Sequence, residues 1–139
     1  MARQTFTAGA VLTASQMNTL QASVWSDDVN AQTTSYTLVL TDAGKQVTMT
    51  SASATTITVP ASATVNDAIG AKIQLINLGA GVVTVAGAGA ATIWNSTLDL
   101  SLNQYAVATL YKTATDTWVL FRGMDVEDDQ SILSSQIFG

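Results

Sequence analysis

The sequence predicts a mainly β protein: an antiparallel β-sandwich or jelly-roll-like domain with one short N-terminal helix and extended N- and C-terminal arms. Three observations carry that expectation. Apolar and polar residues alternate with period two in short runs between Ser35 and Gly123. Glycine-rich turn signals such as "GAG" and "GAGA" separate those runs. Helical spacing is confined to "VLTASQMNTLQASVW", residues 11–25. The chain divides accordingly into an N-terminal arm and helix (1–34), a β-sandwich domain (35–123) and a C-terminal arm (124–139).

The first dozen residues have no period and read as an extended arm. Thr13 then stands as a helix N-cap, with Gln16 three residues on completing a T-x-x-Q capping box. Leu12 and Met17 occupy the two positions of a hydrophobic staple. Met17, Leu20, Val24 and the adjacent Trp25 form a narrow apolar stripe. Asp27 and Asp28 end the helix, because acids at a helix C-terminus oppose its dipole. A helix of this length is marginal alone in water, so its stripe is expected to be buried, either on its own domain or against a second copy of the chain or a larger shell.

In "YTLVL" the alternation sets Tyr36, Leu38 and Leu40 on one face. In "QVTMT" it sets Val47 and Met49 inward, with Thr48 and Thr50 outward. "TTITVP" buries Ile57 and Val59 and stops at Pro60, which cannot donate to a ladder. "AKIQLINLG", "GVVTVAG" and "ATIW" follow, and "QYAVATLYK" and "TWVLFRG" flank "TATD" as a closing hairpin. That makes about eight strands with no sequence repeat among them. The C-terminal arm holds an acidic run, "MDVEDD", and then Ile132, Leu133, Ile137 and Phe138 spaced among polar residues. Scattered apolar residues on an arm imply a docking surface for it.

Charged residues are 11% of the chain, against about 25% in ordinary globular domains, and the net charge is −5. Arg3, Lys45, Lys72, Lys112 and Arg122 cannot form a basic patch, so neither nucleic acid nor an anionic membrane is an expected partner. No apolar run has the length of a membrane-spanning helix. The N-terminus also lacks a basic-then-apolar leader, which gives the expectation of a chain made and folded in the cytoplasm.

The sequence contains no His and no Cys, which removes Ser-His-Asp catalysis, thiol nucleophiles and soft metal ligands. Asp42, Asp67 and Asp116 sit in turns, where a carboxylate serves local backbone bonding, and Asp99 faces solvent on a strand. Gly79 with Gly81, and Gly87 with Gly89, lack the third glycine of a dinucleotide fingerprint, and "AGKQ" lacks the Ser or Thr of a P-loop. The acidic run departs from calcium-loop order. Trp94, Trp118, Tyr105 and Tyr111 could line a sugar-binding face, but core aromatics are the expectation. No catalytic, cofactor or metal site is expected.

"FTAGAVLTASQMNTLQASVW" resembles a segment common in structural proteins of tailed bacteriophages, especially those infecting actinobacteria. "SYTLVLTDAGKQVTMTSASATTITVP", "GAKIQLINLGAGVVTVAGAGAATI" and "ATLYKTATDTWVLFRG" are similar to a recurring phage β-domain found in minor tail proteins, fibres and capsid decoration proteins. The resemblance covers roughly residues 5–123 and implies a virion structural role without enzymatic activity. A trimeric capsid decoration or head-fibre protein, held by the major capsid protein or other virion proteins, is the first expectation. A minor tail or tail-tip protein is the alternative, and a host-glycan-binding adhesin module the second alternative. In the first case Met17, Leu20, Val24, Trp25, Ile132, Leu133, Ile137 and Phe138 form the assembly interface of a virion protein assembled in the host cytoplasm.

Overall fold

The computed structural model describes residues 7–25 and 28–122, apart from the side chains of residues 23–25. Its elements are α1 (Ala14–Trp25), β1 (Val29–Gln32), β2 (Tyr36–Thr37), a 3-10 turn (Leu40–Asp42), β3 (Gln46–Met49) and β4 (Thr55–Val59). Then follow β5 (Lys72–Asn77), β6 (Val83–Gly87), β7 (Thr92–Trp94), β8 (Ser101–Leu102), β9 (Val107–Ala114) and β10 (Thr117–Arg122). The fold is mainly β with one short helix, as the alternation predicts.

The strands are dealt alternately to two sheets. One sheet has six strands in the order β1-β3-β5-β9-β10-β7, and the other four in the order β2-β4-β6-β8. Within them β1, β3 and β5 run parallel, as do β2, β4 and β6. The antiparallel expectation is therefore corrected: the sheets are mixed, and antiparallel pairing is confined to β5–β9, β9–β10 and β6–β8. The physical reason lies in the connections. Residues 50–54 and 78–82 do not fold a strand back on its neighbour. They carry the chain across the two layers, about 10 Å apart, so that each return to a sheet is parallel to the last. Alternation and turn residues look the same for either winding.

The winding contains a repeat that residue identity hides. Gln46 pairs with Gln74 and Thr55 with Val83, a step of 28 residues in both sheets. Residues 46–59 and 74–87 are thus successive coils with the intervening turn stacked as well. Gly79 lies on Ser51 and Gly81 on Ser53, where a Cβ on either glycine would collide with the serine carbonyl below. Asn77, fully buried, fixes that turn by donating to the carbonyls of Gly81 (2.8 Å) and Leu102 (2.9 Å) and accepting from the N–H of Gly79 (3.0 Å). These glycines are strand turns, as their sequence context suggests.

The core lies between the sheets. Val47, Met49, Ile73 and Leu75 meet Ile57, Val59, Val83 and Val85, and the β9–β10 hairpin closes the stack with Leu110, Trp118 and Leu120. Each such side chain stabilises the fold by about 1.5–3 kcal/mol on burial. The first coil is closed differently. Asp42 is buried and accepts from Asn30 Nδ2 (2.8 Å), the Tyr36 hydroxyl (2.9 Å) and the Val39 N–H (2.8 Å). Burial, with the Asp42 carboxylate beside it, raises the Tyr36 pKa.

Three further details differ from expectation. Leu40 is exposed, because β2 ends at Thr37 and the chain turns. Thr48, on the outer side of β3 between Ala31 and Ile76, is only 7% exposed. The short strands β1 and β8 bring the total to ten, and β1 joins the six-stranded sheet from within residues 1–34. Two- and four-residue strands are too short to show a period.

Candidate functional site

The capping box forms as the sequence specifies. Thr13 N–H donates to Gln16 Oε1 (2.9 Å) and Gln16 N–H to Thr13 Oγ1 (3.2 Å), which satisfies two of the orphan donors at the start of α1. The helix carries no charged residue, and among the described residues it makes no extended packing against either sheet. Met17 is 52% exposed and Leu20 half-buried, with Val11 and Leu12 exposed just before the helix. The side chains of Val24 and Trp25 lie outside the described residues, as do Ile132, Leu133, Ile137 and Phe138 of the C-terminal arm. Of the expected interface, the structure places Met17 and Leu20 together on α1.

A second surface, absent from the expected set, lies on the outer face of the six-stranded sheet. Trp118 and Ile93 point into the core, so their neighbours Val119 and Trp94, paired across β10 and β7, point out. Tyr111 pairs with Val119 in the same row, and Phe121 stands opposite Thr109 in the next. Trp94 is 56% and Phe121 61% exposed, with Val107 exposed on β9 nearby. The charge on this face is Lys72, whose ammonium lies 5.9 Å from the centroid of the Tyr111 ring. The expectation that the aromatics are core residues is thus corrected: it holds for Trp118, whereas Trp94 and Tyr105 are exposed and Tyr111 is half-buried on the outer face. The signal was present in "TWVLF" and "YAVATLY", whose apolar residues fall on both faces of a strand instead of one.

The titratable groups are built into the frame. Lys112 is buried, donating from Nζ to Ser62 Oγ (2.9 Å) and the Asp67 carbonyl (2.8 Å), and sits 5.7 Å from the Trp118 ring centroid. Ser62 also receives the Asp116 N–H (3.1 Å) and donates its own N–H to Asp116 Oδ1 (2.6 Å), so the 60–70 loop is bolted to the β9–β10 turn. Asp67 is buried with Oδ1 lacking a hydrogen-bond partner. Burial raises its pKa, against the pull of Lys112. Asp99 is not on a strand; it lies in the β7–β8 loop and accepts from Ser101 N–H (2.9 Å), Ser101 Oγ (2.6 Å) and Arg122 (2.6 Å). Those bonds, with Ser101 foremost, hold its pKa down to about 2.

Among the described residues, no three of His, Cys, Asp and Glu come together in a cluster able to hold a metal ion. No described helix is long and apolar enough to cross a membrane. The described residues present a capped, uncharged helix and an apolar face on the six-stranded sheet. No known protein family, curated protein or solved structure matches this chain.

Proposed function

We propose that the chain is a non-enzymatic structural component of a tailed-bacteriophage virion, a trimeric decoration or head-fibre protein that clamps the outer capsid surface. The observation that carries this reading is α1. A twelve-residue helix without charge, fixed at its start by a capping box, is marginal in water by itself, so burial of its apolar positions is what would hold it. The likeness of "FTAGAVLTASQMNTLQASVW" to phage structural segments supplies the kind of partner, the major capsid protein or a neighbouring copy. Many small contacts of this sort stabilise a shell through avidity. The protein then assembles in the host cytoplasm and resides in the virion.

Co-sedimentation with undecorated phage heads and, separately, with isolated tails tests the proposal. Saturable binding to heads that is lost in Met17→Asp with Leu20→Asp is the expected result. Binding to tails alone moves the same helix to a minor tail or tail-tip role, and binding to neither overturns the virion reading. A second reading, a host-glycan adhesin, is favoured by the exposure of Trp94 beside Val119, since an exposed indole can stack on a sugar face. A glycan array on which Trp94→Ala removes a hit would support it.

A further inference from the structure

We draw no further inference here: the strongest candidate, the apolar outer face of β9, β10 and β7 around Trp94, Val119 and Phe121, carries none because nothing in the structure shows what covers it.

Discussion

The two sheets share one core but turn opposite characters outward. The outer face of the four-stranded sheet is Thr37, Thr58 and Ala86 in one row and Thr56, Thr84 and Ser101 in the next. These are β-branched or small residues, and all but Ala86 have hydroxyls for water. The outer face of the six-stranded sheet carries Trp94, Tyr111, Val119 and Phe121 on strands of the same geometry. Both faces obey the same pleat, so folding alone does not require the difference. It teaches that stability resides in the layer between the faces, which leaves the character of each outer surface free to differ.

The largest expected effect tests that division on a single strand. Trp118 and Phe121 both lie on β10, the first buried in the core and the second 61% exposed. Trp118→Ala should cost about 3–5 kcal/mol in chemical unfolding, through lost contacts and the cavity left behind. Phe121→Ala should cost under about 1 kcal/mol in the same measurement. Equal losses of stability for the two variants would erase the distinction between face and core.

Much of this frame could be read from residues alone, because side-chain chemistry repeats with the pleat. The inward positions of Val47, Met49, Ile57 and Val59, the closing hairpin, the Thr13–Gln16 box and the turn role of Asp42 all follow from local pattern. The parallel winding does not, since a turn such as "SASA" serves equally to reverse a strand or to cross between layers. The 28-residue step is hidden because the repeat conserves burial and backbone spacing while the residues themselves differ, as in Met49 over Asn77 or Ser51 over Gly79. The capped helix itself was legible, and Met17 and Leu20 fall together on α1. The apolar sheet face was not, because apolar residues on both sides of β9 and β10 look like a more deeply buried strand.

An intermediate effect is expected inside the frame, at Asp67. Its pKa is raised, chiefly by burial, so the folded state disfavours the carboxylate relative to the unfolded chain. Below the ordinary Asp value near 3.8 both states are protonated and the group contributes nothing. As pH climbs through that value towards the raised one, the wild type loses stability, and the deficit stays constant above it. Asp67→Asn should therefore be the more stable protein at pH 7, by up to about 1 kcal/mol, with the gap closing below pH 4 in thermal melts. A variant less stable at pH 7 would mean that the attraction of Lys112 outweighs burial.

The smallest effect is expected where the two faces are strapped together at their edge. Asp99, in the loop leading to β8 of one sheet, holds Arg122 at the end of β10 in the other. With its folded pKa lowered to about 2, the carboxylate stabilises the fold at every pH above the ordinary value near 3.8 and loses that contribution as pH falls from there through 2. The aspartate side chain is 52% exposed, so solvent screening limits the pair to less than about 1 kcal/mol. Asp99→Asn should lower stability slightly at pH 7 and match the wild type near pH 2. Arg122→Gln should lose less, because the hydroxyl and N–H of Ser101, the stronger partners, still hold the carboxylate. If Arg122→Gln instead proved the more damaging change, the strap would depend on the guanidinium, and the apolar face beside Phe121 would be anchored to the hydroxyl face by charge and not by the Ser101 turn.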